Sequence, residues 1–451
     1  MPSITEEKIK IGNYRWVICA LLFFATTLNY MDRQVISYLK PFYCKSIDAG
    51  GFGWTNSDFS YVTSFFTAFY AGMTILAGWV IDRIGTKRGL AGSLIVWSFA
   101  GIANAFAGAS VAVHVFIRSI FAVGEAGNFP ASIKTVAEWF PRKERALATG
   151  IFNSGSNVGA MIAALFVPWC MVFYGEQLGW KMAFAYTGGV GFLWLIFWFW
   201  FYNSPSKQKK LLKAEFDYIH EGDVPVQTSV KTEKVPWGKL FGYRQTWSFF
   251  FGKFLTDGIW WFYLFWLPDY LIKQFGLAPA DVKWPTFIVY GVAIIGSVYG
   301  GGIPFIFMNK GMHVYKARMT TMIIIAFFPL AVLFTQYFGN VERFGGTAMY
   351  MAVAVICIGA AAHQAWSANL FTTVSDMFPK KAVGSVTGIG AMAGGIGGVF
   401  VQLLAGKLTD VFITAPQTAY MIMFVICGLS YISAWGIMKL LVPLHKPITD
   451  L

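Results

Sequence analysis

EWFPRKERALATGIFNSGSNVG, beginning at Glu138, returns later in the chain as DMFPKKAVGSVTGIGAMAGGIGG, beginning at Asp376. Glu138/Asp376, Phe140/Phe378, Pro141/Pro379, Thr149/Thr387, Gly150/Gly388, Ile151/Ile389 and Gly159/Gly397 all pair at one offset of 238. Working outward from the two copies, apolar runs fall at 14–39, 57–81, 88–108, 111–137, 145–173 and 180–203, then at 246–275, 284–308, 317–338, 347–375, 382–409 and 416–442. Each is long enough to cross a bilayer as a helix. The repeat spacing is six runs. An even number keeps the two copies in the same orientation, so the repeat is parallel about an axis along the membrane normal. That is an architecture of transporters that rock two bundles about a midplane site. The expectation is an all-α polytopic membrane protein of twelve helices in two six-helix bundles, 1–203 and 246–451, joined by a linker over 204–245. Gly-rich faces follow both copies (Gly150, Gly155 and Gly159; Gly388, Gly390, Gly394, Gly395, Gly397 and Gly398), which lets helices approach closely and slide.

Composition agrees. Of 451 residues, 56% are hydrophobic and only 13% charged, about half the charge of a soluble domain. That excludes an ordinary soluble enzyme, a disordered scaffold and a secreted disulfide domain. The net charge of +13 sits in short segments between apolar runs, as topology requires, and does not point to nucleic acid. With the N-terminus inside, inward segments carry 24 Lys/Arg and outward ones seven; this bias sets both termini in the cytoplasm. The outward seven are Lys40, Lys45, Lys181, Lys273, Lys283, Arg343 and Lys407. Four of the five cysteines lie inside apolar runs and none pair into a motif, so no disulfide or metal site is expected. The first apolar run ends in Asp-Arg and not in a small-residue cleavage site, so it reads as a retained helix. The linker holds the one long polar stretch, with a short amphipathic helix expected around 206–220.

Charge inside the helices carries the functional reading. Intramembrane ionisable residues are functional candidates by default. Asp32 and Arg33 lie in the first helix, Arg118 and Glu125 in the fourth, Lys253 and Asp257 in the seventh. Arg118 and Glu125, seven apart, share a face at about 10 Å along the axis. Lys253 and Asp257, four apart, can pair directly; such a pair either fixes helix packing or serves the substrate. A carboxylate substrate calls for a guanidinium or ammonium in a low-dielectric cavity. A sugar acid also calls for hydroxyl partners and rings, with Tyr30, Trp261, Gln364, Trp366, Ser367 and Asn369 the candidates, each weighed against plain packing. His363 reads first as a helix–helix hydrogen bond. The stripe Asn153, Ser154, Ser156 and Asn157 reads as interhelical hydrogen bonding first and cavity lining second.

The loop GWVIDRIGTKRG, Gly78–Gly89, matches the signature loop of the major facilitator superfamily. Asp82 ends the second helix, Gly85 permits a tight turn, and Arg83, Lys87 and Arg88 can pair with acids at neighbouring helix ends, forming a latch that favours one of two conformations. The second half keeps a degenerate counterpart (Gly302, Pro304, Lys310 and Arg318) without the Asp. NYMDRQ (Asn29–Gln34), RSIFAVGEAGNFPA (Arg118–Ala131) and EWFPxxER (Glu138–Arg145) resemble the anion:cation symporters of that superfamily, in particular bacterial hexuronate and aldonate (galacturonate- and galactonate-type) transporters. The resemblance spans nearly the whole chain. It implies that Arg33 and Arg118 serve the organic anion and gating, and that Asp32 and Glu125 serve protons. GKFLTDGIWWFYLFWLPDY resembles the hexuronate branch in carrying a basic residue, Lys253, where the aldonate branch tends to have a neutral amide.

Enzyme motifs are absent: there is no HExxH, paired-Cys, G-x-S-x-G or phosphate-binding loop. No cofactor and no metal is expected. The partners implied are a small organic anion, protons and the lipid bilayer, with no nucleic acid, and the chain is expected to act as a monomer. The resulting expectation is a proton-coupled symporter importing a hexuronate or aldonate across the bacterial cytoplasmic (inner) membrane by alternating access. The alternative is an organophosphate/phosphate antiporter of the same fold, for which Arg33 and Lys253 would serve. Asp32 and Glu125 speak against it, since they would repel a dianion unless protonated. A membrane enzyme and a nutrient sensor on a transporter scaffold are remoter; ligand binding without flux would mark the sensor.

Overall fold

The computed structural model describes residues 12–141, 144–220, 237–444 and Ile448. The basic residues expected at 8, 10, 142, 143 and 446, and the linker charges Glu221, Asp223, Lys231, Glu233 and Lys234, lie outside these. The first half comprises α1 (Tyr14–Tyr43), α2 (Asn56–Ile84), α3 (Thr86–Asn104), α4 (Val111–Glu125), α5 (Asn128–Trp139), α6 (Arg145–Tyr174) and α7 (Glu176–Phe201). A linker helix α8 (Lys213–Ile219) and a turn α9 (Trp237–Leu240) lead into the second half. That half comprises α10 (Arg244–Phe275), α11 (Lys283–Met308), α12 (Val314–Phe327), α13 (Thr335–Phe338), α14 (Val341–Phe344), α15 (Ala348–Met377), α16 (Lys380–Val411) and α17 (Pro416–Leu441).

Two spans are interrupted, and proline accounts for both. α4 and α5 form one span broken after Glu125, where Pro130 lacks the amide hydrogen that would continue the ladder. α12 and α13 form another, joined by a 3-10 stretch, Phe328–Phe334, that opens with Pro329 at its second position. Counted this way the described residues form twelve spans, six in each half. Eight pass a length-and-hydropathy test for crossing a membrane. The four that do not are α1, α3, α4–α5 and α10. α4 and α5, with 15 and 12 residues, are each too short because the span is broken, whereas in α1 and α10 the intramembrane charges Asp32, Arg33, Lys253 and Asp257 depress the hydropathy.

The repeat sets the packing. Gly155 and Gly159 of α6 lie against α1, where a Cβ would meet the Phe23 carbonyl and collide with the Thr27 carbonyl. Gly397, the counterpart of Gly159, lies against α10, where a Cβ would collide with the Phe254 carbonyl. The same small-residue contact is thus built twice, α1 on α6 and α10 on α16. The stripe beside it differs from expectation. Ser154 and Ser156 donate to Ile151 and Asn153 carbonyls of their own helix. A short hydroxyl in a helix reaches back to its own preceding turn, and α6 is joined to α1 by close backbone packing at Gly155 and Gly159 together with the Cys19 thiol donating to the Ala148 carbonyl.

The halves meet along α2 and α16, α6 and α11, and α1 and α10. α1 and α10 run side by side in register. Arg33 lies near Trp261, Ser37 donates to the Leu264 and Phe265 carbonyls, and Lys40 meets Asp269. These contacts run from the level of Arg33 to the face opposite the linker. At the linker face, the end of α2 is open: the Asp82 side chain is 71% exposed. Large exposed apolar groups such as Phe99, Trp200, Tyr299 and Phe400 cover the outer surface, as lipid contact requires.

Candidate substrate and proton site

Arg33 stands at the centre. Its Nε donates to Glu125 Oε2 at 3.0 Å and its Nη2 to Asn29 Oδ1 at 3.3 Å. The guanidinium carbon lies 4.4 Å from the ring centre of Tyr30, 4.5 Å from Tyr70, 5.2 Å from Trp261 and 5.5 Å from Phe66. π-faces around a planar cation offset part of the cost of holding its charge in apolar surroundings. Trp261 belongs to α10, so the cage is closed by both halves. Its carbonyl in turn accepts from Gln402 on α16.

Glu125 reaches Arg33 because α4 ends beside it. Gly124 and Gly127 lie so close to α3 that a Cβ would collide with the Trp97 amide or the Ser93 hydroxyl. Its second oxygen has no hydrogen-bond partner among the described residues. Arg118 donates through Nη2 to the Arg33 carbonyl at 3.1 Å and lies between Phe66 and Phe121, at 4.9 and 4.7 Å. Its Nε and Nη1 have no hydrogen-bond partner among the described residues. Glu125 therefore serves the arginine of the neighbouring helix, while the arginine of its own helix keeps two donors to offer.

Asp32 points elsewhere. Successive side chains on a helix diverge by about 100°, so Arg33 faces α10 while Asp32 turns into the first half, with Trp97 of α3 and Thr187 of α7 as its polar neighbours. Neither carboxyl oxygen is within hydrogen-bond reach of a partner among the described residues. Lys253 and Asp257 pair at 2.6 Å on α10, with Lys253 also 4.3 Å from the Phe371 ring centre. The Asp257 side chain is 20% exposed.

The remaining candidates divide. Gln364 and Ser367 are half-buried on α15. Asn369 donates to the Gly300 and Ala365 carbonyls, tying α15 to α11. Trp366 is fully buried against Tyr431 of α17. The structure thus draws Arg33, Glu125, Arg118, Tyr30 and Trp261 together, and places Asn369 and Trp366 in the packing of the second half. His363 makes the expected interhelical hydrogen bond, Nδ1 to the Tyr431 hydroxyl at 2.8 Å, and stacks on Trp260. Tyr70 and Phe66 were not singled out from sequence. Seven residues, about two turns, separate Tyr70 from Thr63, the α2 residue that meets Gln402 of α16. The alternation of small and aromatic residues along α2 was the available signal.

At the linker face, Gly85 takes φ +85° between α2 and α3, a conformation that favours glycine. Asp82 pairs with Lys134 of α5 at 2.8 Å. Arg83 stacks on Trp79, and Lys87 donates to the Phe199 carbonyl and Asn203. In place of the acid pairs expected for Arg83 and Lys87, these contacts are to a ring, a carbonyl and an amide, all within the first half. Gly78 lies beside Pro130 of α5. In the second half Arg318 pairs with Asp376, the repeat counterpart of Glu138, which itself accepts from Thr86 and Tyr202. The motif acid thus joins neighbouring helices in both copies. Of the seven basic residues counted as outward, Lys40 and Lys273 lie within α1 and α10; α1 runs on to Tyr43, past the end of its apolar run.

The sequence matches the Major Facilitator Superfamily over residues 22–402. It is 30% identical to the hexuronate transporter of Escherichia coli (strain K12), covering 93% of each chain. It is 28% identical to the D-galactonate transporter of Escherichia coli O6:H1 (strain CFT073), covering 97% of this chain and 99% of that one. Among solved structures, a bacterial homolog of the human lysosomal transporter Spinster, inward-facing and unoccupied, superposes with TM-score 0.72 at 18% identity over 96% of this chain and 98% of that one. A D-xylose-proton symporter superposes with TM-score 0.71 at 16% identity over 97% and 100%. From the twelve spans, the doubled six-helix repeat and this match, the chain belongs to the Major Facilitator Superfamily, as a multi-pass membrane transporter and not an enzyme.

Proposed function

We propose that this transporter imports a hexuronate or aldonate together with protons, by alternating access, across the cytoplasmic membrane of a bacterium, with both termini in the cytoplasm. Two bundles, 1–203 and 246–451, rock about the Arg33 cage, and the chain works as a monomer. The observation that carries the reading is Arg33: a buried guanidinium bound to Glu125 at 3.0 Å, ringed by aromatic faces from both halves. Relatives named for hexuronate and D-galactonate transport support the substrate class. They do not favour the organophosphate alternative. With the basic linker face in the cytoplasm, the conformation is inward-facing.

Coupling follows from an exchange of partners. A substrate carboxylate that takes Arg33 leaves Glu125 without its cation. An unpaired carboxylate in low dielectric is costly, so Glu125 binds a proton as the anion binds. By linkage the proton in turn favours the anion. Arg118, with two unengaged donors, takes the rest of the carboxylate, and Asp32 offers a second proton position within the first half. Hydroxyls are left to Gln364, Ser367 and Tyr30, and Lys253 tunes the choice among acids. The test is uptake of labelled galacturonate, glucuronate, galactonate and glycerol 3-phosphate into proteoliposomes under an imposed pH gradient. Concentrative uptake of a sugar acid that collapses with the gradient is expected. Gradient-independent exchange of glycerol 3-phosphate for phosphate would overturn the reading.

A further inference from the structure

The face opposite the linker is closed by carboxylates of the second half seated on the first. Asp269 of α10 lies 2.6 Å from Lys40 Nζ of α1. It also holds Lys273, at 3.0 Å on its own helix, and the hydroxyl of Tyr420 on α17. Asp410 of α16 accepts from the Asn56 and Ser57 amides at 2.9 and 2.8 Å, capping the start of α2, where a helix favours negative charge. Lys40 is fully buried, its ammonium 3.9 Å from the ring centre of Trp266. The partition of these groups is lopsided. When the halves part, Asp269 leaves with Lys273 and Tyr420 and stays paired, but Lys40 stays on α1, where among the described residues no other acid pairs with it. The first half then presents two vacated carboxylate seats, Lys40 and the α2 amides, to the water outside.

Lys40 is seven residues, two turns, beyond Arg33, so the two share one face of α1 about 10 Å apart. Both meet α10 in the closed state, Arg33 at Trp261 and Lys40 at Asp269. On the reading of this protein as an importer of organic anions, we infer that Lys40 is a docking point for the substrate carboxylate in the outward-open state. Asp269 occupies that seat when the gate is shut. A carboxylate arriving from outside competes with Asp269 and holds the gate open. Its step down to Arg33 frees Lys40 to rejoin Asp269, which closes the face behind it. The chemistry recognised is a carboxylate, and the seat is independent of the rest of the sugar.

The sign of a KM change tests this. Lys40→Gln weakens the gate, which alone would raise the outward-open population and lower the external KM. Loss of docking raises it. In uptake of labelled galacturonate, or whichever acid of the panel the wild type accumulates, Lys40→Gln is expected to raise external KM about fivefold, the weight of one exposed ion pair, and Lys40→Arg to leave it within twofold. Raising ionic strength from about 0.05 to 0.5 M should slow wild-type uptake at low substrate more than that of Lys40→Gln. An unchanged or lowered KM in Lys40→Gln overturns the proposal. A wild type that accumulates no sugar acid defeats the transport reading itself, so the two failures are distinct.

Discussion

Replacing Arg33 by alanine isolates the anion site, and its magnitude can be worked from the geometry. The guanidinium can offer a carboxylate two charge-assisted hydrogen bonds, each worth about 1.5–3 kcal/mol. The substrate must first displace Glu125 from Nε, so the net loss is set at the low end, about 3 kcal/mol, or roughly a hundredfold in Kd. Alanine also strands Glu125 as a buried charge, which costs about 3–5 kcal/mol of stability. The informative protein is therefore the double variant Arg33→Ala/Glu125→Gln, which removes cation and anion together and should run as a monodisperse species near the wild-type melting temperature. Binding is read by tryptophan fluorescence, since Trp261 lies 5.2 Å from the guanidinium, or by calorimetry in detergent. Arg33→Lys keeps the charge but loses the planar fork and its fit among Tyr30, Tyr70 and Trp261; a loss of about tenfold is expected. Wild-type affinity in the folded double variant would remove Arg33 from the site and with it the exchange of partners at Glu125.

Four further substitutions probe three separate parts. Glu125→Gln should bind substrate and support counterflow yet fail to accumulate it under a pH gradient, and Asp32→Asn should behave alike or stall return of the empty carrier; concentrative uptake surviving in both would send the protons elsewhere, with Asp257 next. Asp82→Asn removes the Lys134 pair at the linker face and should cut transport by about tenfold or more while Kd changes less than threefold; transport at the wild-type rate refutes a latch. Lys253→Ala leaves Asp257 without its ion pair, and should weaken uptake or reorder preference among galacturonate, glucuronate and galactonate; an unchanged profile would confine the pair to packing.

How much of this was legible beforehand depended on what each feature encodes locally. The repeat at Glu138 and Asp376 encodes a symmetry, and the symmetry fixes which helices touch. Gly159 and Gly397 could be matched by offset alone, and each meets the same neighbour in its own half. The six intramembrane charges were visible because a charge in an apolar run violates the solvent it sits in. Their partners were not. Glu125 was read with Arg118 along α4, since spacing sees only one helix, yet it bonds Arg33 of α1. Asp32 and Arg33 adjoin in sequence but diverge around the axis. The gate was missed for a related reason. Lys40 and Lys273 were counted only as outward charges, and the fold shows that both gather around Asp269.

One arrangement recurs at three depths. Lys40 sits on Asp269, Arg33 on Glu125, and Lys253 on Asp257, at 2.6, 3.0 and 2.6 Å. In each a buried cation is held by a carboxylate, the group a sugar acid would bring. The first pair joins the two halves, the second joins helices of the first half, and the third lies within one helix of the second. A passing carboxylate that displaces each internal one in turn meets a cation already desolvated and oriented, so little reorganisation is left to the moment of binding. What the displaced carboxylate does next differs with its place. Asp269 keeps Lys273 and Tyr420, so its release moves a gate. On the proposed coupling, Glu125 loses its ion pair with Arg33, so its release calls in a proton. The Asp257 side chain is 20% exposed, so water can take over the displaced charge and the exchange is left to affect selectivity. On this logic the steps of opening, coupling and choosing are one reaction, the replacement of one carboxylate by another, carried out in three environments.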